Sequence, residues 1–125
     1  FKNENFKCNY NKVVKRVKKL LPKSKFKLVK GFFENTLSKN PESNFARIIF
    51  IDCDTYSSTE LALNYIRGSL QVGTIIILDD YFAYKGMENR GVYGAFKIFT
   101  KSHKLRTRKL FSYGMGGVVK IFTKI

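Results

Sequence analysis

The 125-residue sequence predicts an α/β fold: a mostly parallel sheet with helices packed on it and a terminal antiparallel strand. Three observations carry this. Segments with helical apolar spacing alternate with short apolar runs. Two of those runs, within ARIIFIDCD (46–54) and GTIIILDDY (73–81), each end in a pair of acids. The chain then closes on two further strand-like segments around a GMGG turn at 114–117. A mass of 14.5 kDa suits one compact domain. An apolar content of 44% with 15% aromatics excludes a disordered chain.

The elements follow in order. NYNKVVKRVKKLL (9–21) places Tyr10, Val13, Val14, Val17 and Leu21 on one helical face and Lys on the other, and Pro22 ends it. KFKLVK (25–30) alternates and reads as a strand running into Gly31. FFENTLSKN reads as a loop with a short helix. ARIIFIDCD has the continuous apolar pattern of a parallel strand buried on both faces. SSTELALNYIRGSL (57–70) is a helix with a Ser57/Glu60 capping box and an inner stripe of Ala62, Tyr65, Ile66 and Leu70. GTIIILDDY is a second buried strand. ENRGVYGAFKIFTKSH (88–103) is a helix with Val92, Ala95, Phe96 and Phe99 inward. LRTRKLFSY and GVVKIFTKI form a closing hairpin. Alternation of this kind puts helices on both faces of a parallel sheet, and ligands then bind beyond the carboxyl ends of the strands. Both acid pairs fall at that edge.

The net charge of +15 is unevenly spread. Residues 1–30 hold 11 Lys/Arg and one acid, 31–84 hold 3 and 7, and 85–125 hold 10 and one. Basic flanks invite a nucleic-acid reading. The plainer reading is compositional, because 18 Lys against 6 Arg, with only 4 Ala, is the usage of an AT-rich genome. An acidic middle between basic flanks is what the arithmetic establishes. Cys8 and Cys53 form no disulfide framework, so a reducing, cytoplasmic location is expected. No secretory h-region opens the chain, and the apolar runs fall far short of the roughly 20 residues of a membrane span, so no membrane partner is expected.

Asp52, Asp54, Asp79 and Asp80 are the chemical signal. Two neighbouring strands, one helical crossover apart, each deliver two carboxylates. Four such groups in a half-buried cleft need a compensating cation. Mg²⁺, with oxygen ligands at about 2.0–2.1 Å, suits them. Helix capping is the bland alternative for any one of the four, but not for all at once. The DxD ending alone is similar to that of metal-dependent glycosyltransferases, which leaves the second pair unexplained. A haloacid-dehalogenase phosphatase is rejected because Tyr56 replaces Thr or Val and 55–78 holds no Lys. IIILDD could pass for a Walker B strand, but no GxxxxGK[ST] loop accompanies it.

The segment FIDCDTYSSTELALNYIRGSLQVGTIIILDDYFAYKG closely resembles the macrocin O-methyltransferase family, whose pattern runs D-x-D-x-Y-x-x-T, helix, Gly-containing turn, and a strand ending DDY. Asp52, Asp54, Tyr56, Thr59, Gly73, Asp79, Asp80 and Tyr81 occupy those positions. The upstream VKGFFENTL also looks like the segment ending the family's third strand. Thr74 stands where the family usually has a second Gly, a departure expected to affect only the turn. The resemblance spans about residues 25–100. It implies the C-terminal part of a Rossmann-like class I methyltransferase fold that uses S-adenosylmethionine and Mg²⁺ to methylate a sugar or glycoside hydroxyl. By it, Asp52, Asp79 and Asp80 would bind the metal and Asp54 would be the general base. Gly31 and Phe32 would lie near the adenine, and Tyr81 and Tyr84 near the acceptor.

The Gly-rich turn after a first strand, and the acid that holds the ribose, are not found, and GMGG joins two strands without opening a helix. The expectation is therefore a single truncated domain over 1–125, lacking its first strand–helix–strand unit and inactive alone. In the family's strand order 3-2-1-4-5-7-6, residues 25–30 would then either pair beside 46–53 or leave an edge for a second copy of the chain, giving a homo-oligomer. The competing function is a non-catalytic basic module for nucleic acid or anionic glycan, which steep salt dependence would favour. A nucleic-acid partner is not the preferred reading. His103 reads as a solvated helix end, and Cys53 as facing into packing away from the acids.

Overall fold

The computed structural model describes residues 9–22, 25–37 and 44–125, in two compact units that divide between Phe32 and Phe33. Cys8 and the end of the loop after Leu37 lie outside the described residues.

The first unit carries α1 (Tyr10–Leu20). Asn9 caps it by accepting from the Asn11 amide, and Lys18 and Lys19 sit favourably in its last turn. Leu21 is already extended, as the following Pro requires. Residues 26–30 do not form the expected strand. An alternating sequence becomes a strand only through a hydrogen-bonded neighbour, and this segment has no ladder among the described residues.

The second unit begins with the short helix α2 (Phe33–Thr36) and continues through β1 (Ile48–Ile51), α3 (Tyr56–Ile66), β2 (Ile75–Leu78), α4 (Gly91–Ser102), β3 (Arg106–Tyr113) and β4 (Gly117–Lys124). Single 3-10 turns follow α3 and precede α4. The sheet order is β1-β2-β4-β3, with β1 and β2 parallel and β4 antiparallel to both its neighbours. The closing hairpin thus forms as expected, and its second strand slots between β2 and β3. This is the 4-5-7-6 half of the expected order.

Ile49, Ile51, Ile76, Leu78, Val118 and Phe122 face Ala62, Leu63, Val92, Ala95, Phe96 and Phe99 in one core. Within this unit α3 and α4 therefore share one face of the sheet. The connections β1-α3-β2 and β2-α4-β3 step in the same direction across it, and right-handed crossovers in one direction put both helices on the same side. The expectation that β1 is buried on both faces is corrected: Ile48 and Phe50 are 63% and 57% exposed, while Ile49 and Ile51 are buried.

The helix starts also differ in detail. Thr55, not Ser57, caps α3, its hydroxyl oxygen accepting from the Ser58 amide at 3.4 Å. Leu63 joins the inner stripe and is fully buried. The last helix begins at Gly91 rather than at Glu88, with the four predicted inward residues all buried.

Candidate functional site

The site stands where β1 and β2 end side by side. Ile51 pairs with Leu78, so the next residues, Asp52 and Asp79, leave the sheet together, and the Asp79 amide donates to the Ile51 carbonyl at 2.9 Å. Each strand then turns sharply. Asp54 and Asp80 hold φ of 57° and 49°, a left-handed conformation that Asp tolerates better than most residues but that still carries strain. At the start of α3 the buried Thr59 hydroxyl donates to the carbonyl of the N-cap residue Thr55 at 2.7 Å. The threonine of the D-x-D-x-Y-x-x-T segment is thus fully buried and bonded within the first turn of α3.

These turns bring one carboxylate oxygen each of Asp52, Asp54 and Asp80 within 4.8 Å of one another. The crowding has an electrostatic consequence. Burial, with the Asp79 and Asp54 charges added, lifts the Asp52 carboxyl above the ordinary carboxylate range. Asp80 is also lifted, by burial first, then by a hydrogen bond shared with Asp54 and the surrounding negative charges. Three hard oxygen donors at this spacing fit a small divalent cation such as Mg²⁺ or Mn²⁺, whose charge would relieve the repulsion.

Asp79 is held differently. Its Oδ1 accepts a hydrogen bond from the Tyr113 hydroxyl at 2.9 Å. Burial, that hydrogen bond and the neighbouring acids push the Tyr113 hydroxyl up to about 12, so at neutral pH it is a donor. Tyr113 was not singled out from the sequence. The only hint there is its place beside a glycine-rich turn, which reveals the hairpin but not that the ring reaches a third strand.

The remaining sequence candidates are distributed as follows. Tyr81 follows Asp80 but is 6% exposed, its ring packed against Phe82, Tyr93 and Phe96. The Lys120 ammonium lies 5.5 Å above that ring. Tyr84 is exposed, and its ring lies against Gly91, where a Cβ would collide with it. Gly31, at φ 148°, and the exposed Phe32 close the first unit. Cys53 packs against the core, and burial, with the Asp52 and Asp54 charges added, raises its thiol. His103 caps the end of α4 with its ring edge-on to Phe99, half-buried rather than fully solvated. No helix of the described residues is long and apolar enough to cross a membrane.

A family model described as Macrocin-O-methyltransferase (TylF) matches residues 3–110. No curated protein matches the chain. Among solved structures, one described as "Structure of the O-methyltransferase NovP" superposes with a TM-score of 0.76 over 93% of this chain, at 20% sequence identity. Only 46% of that structure is covered, so the chain spans about half the length of the protein it matches. At this identity the likeness establishes the fold, a partial class I methyltransferase sheet with its helices. With the matched segment covering most of the sequence, the chain belongs to the macrocin-O-methyltransferase (TylF) family.

Proposed function

We propose that this chain carries the metal and proton-transfer half of an O-methyltransferase that methylates a hydroxyl of a sugar or glycoside. The convergence of carboxylate oxygens from Asp52, Asp54 and Asp80 at the ends of two parallel strands carries the reading. Family membership supplies the reaction class and implies S-adenosylmethionine as methyl donor, for which Gly31 and Phe32 are the proposed adenine-side contacts.

Methyl transfer to a hydroxyl needs the oxygen oriented and its proton removed. A bound divalent ion would lower the pKa of that hydroxyl and fix its position. Asp52, Asp79 and Asp80 are the proposed holders of the ion, one or two residues beyond the strand ends. Asp54 is the proposed base: its oxygen lies within 4.8 Å of those of Asp52 and Asp80, close enough to take a proton from a hydroxyl held beside them. Tyr84, exposed on the following loop, is the proposed edge of the acceptor site, with Tyr81 supporting that loop from the core. A reducing, cytoplasmic setting remains the proposed location.

Because Asp54 shares the same convergence, a second arrangement makes it a ligand in place of Asp79. Calorimetric titration of the chain with Mn²⁺ separates the two. Under the proposed roles Asp80→Asn or Asp79→Asn weakens binding strongly, while Asp54→Asn leaves it near the unmodified level. Loss of binding in Asp54→Asn with retention in Asp79→Asn would exchange their roles, and absence of Mn²⁺ binding by the unmodified chain would overturn the metal reading.

A further inference from the structure

We propose that Tyr113 is the positioning residue of the acid cluster, reaching across β4 at Gly117 to fix the Asp79 carboxylate for the metal. The inference rests on the metal reading above and adds to it a residue outside the D-x-D and DDY segments.

The topology makes the contact unusual. β3 and β2 are not neighbours, since β4 lies between them. Tyr113 is the last residue of β3 and pairs with Gly117, the first of β4, while Leu78 at the end of β2 pairs with Val118. To bring its hydroxyl to 2.9 Å from Asp79 Oδ1, the Tyr113 ring must cross the intervening strand. It does so over Gly117. A Cβ at that position would fall 2.7 Å from Cε2 of the ring and closer still to Cζ and Cε1. The Gly117 backbone has no positive φ that would call for glycine, so the ring is the physical reason for the missing side chain.

The effect is on Asp79. A free carboxylate after a strand end can rotate about two bonds. One oxygen engaged by a phenol hydroxyl leaves the other with a fixed direction, and such outer contacts orient metal-binding carboxylates and tune their affinity. Tyr113 thereby adds a hydroxyl donor to a site whose other side chains are crowded carboxyl groups.

The test is Mn²⁺ affinity, read from the electron paramagnetic resonance signal of free Mn²⁺, for the unmodified chain, Tyr113→Phe and Gly117→Ala. Tyr113→Phe keeps the ring and removes the donor, and is expected to raise the dissociation constant about tenfold or more. Gly117→Ala displaces the ring and is expected to weaken binding in the same direction. Where Gly117→Ala fails to fold, Tyr113→Phe alone decides. A Tyr113→Phe affinity within about twofold of the unmodified chain, or a tighter one, overturns the inference and leaves the metal reading intact. An unmodified chain that binds no Mn²⁺ overturns both.

Discussion

Asp52 and Asp80 sit above the ordinary carboxylate value of 3.8 because burial and neighbouring acids disfavour their charged forms. The folded chain therefore binds their protons more tightly than the unfolded chain does. Folding is favoured as pH falls from the raised values toward 3.8, and that contribution is lost as pH rises through them. Without metal, Asp80→Asn should melt about 1–5 °C above the unmodified chain at neutral pH, since it deletes one repelling charge from a partly exposed group. The difference should shrink as the solution is acidified through the raised range. Thermal melts across that range check this, and a variant that melts lower at neutral pH would show that Asp80 contributes more by structure than it costs by repulsion. The substitution that relieves the repulsion within the acid cluster is thus the one expected to damage metal binding, a trade expected of a site built to hold a cation.

The elements around the site depend on a few polar and steric details. Thr74, expected to matter only to its turn, is fully buried. Its hydroxyl donates to the Ala46 carbonyl at 2.7 Å and accepts from the Gln71 amide at 3.1 Å. It thereby ties the start of β2 to the segment entering β1 and helps set the register that aligns the acids. Thr74→Val keeps the shape and strands both partners, so a loss of about 1–3 kcal/mol is expected in urea unfolding. In α4, a Cβ on Gly94 would fall 2.6 Å from the Asn89 carbonyl carbon, so the helix can start beside that loop only with glycine there. Gly94→Ala should cost about 1–3 kcal/mol through overpacking, despite alanine's better helix propensity. An unchanged urea midpoint would show that the loop yields freely.

Across the second unit, both helices on one face leave Ile48 and Phe50 exposed on the other, and β1 has no ladder partner on its outer edge among the described residues. Exposed apolar edges associate, whereas a net charge of +15 opposes the approach of two copies. Sedimentation velocity should show self-association that grows as salt rises from about 50 to 500 mM, when screening removes the repulsion. Phe50→Lys should reduce it. A monomer at high salt would remove the second-copy proposal. The four carboxylates are local to two adjacent strands, but the described residues offer no glycine-rich turn from a strand into a helix to cradle S-adenosylmethionine. Calorimetry of this chain with S-adenosylmethionine should therefore show no micromolar binding, with or without Mg²⁺. Micromolar affinity would mean that the cofactor is held by residues other than Gly31 and Phe32.

Local signals were enough for much of this protein. Apolar period placed α1, α3 and α4 and the two acid-ended strands, GMGG placed the hairpin, and the acid pairs marked the strand ends where Asp52, Asp54 and Asp80 converge with Asp79 beside them. These features are written in neighbouring residues, where side-chain period and turn chemistry act. What depended on long-range pairing was not legible. Residues 25–30 alternate as a strand does yet have no ladder, because strand formation is decided by the neighbour and not by the segment. Ile48 and Phe50 read as buried, but the handedness of two crossovers put both helices on the opposite face. Tyr113 and Asp79, 34 residues apart, meet because β4 inserts between β2 and β3 and carries a glycine where the ring passes. Composition and period determined which groups this chain has for chemistry; the order of strands in the sheet decided which of them touch.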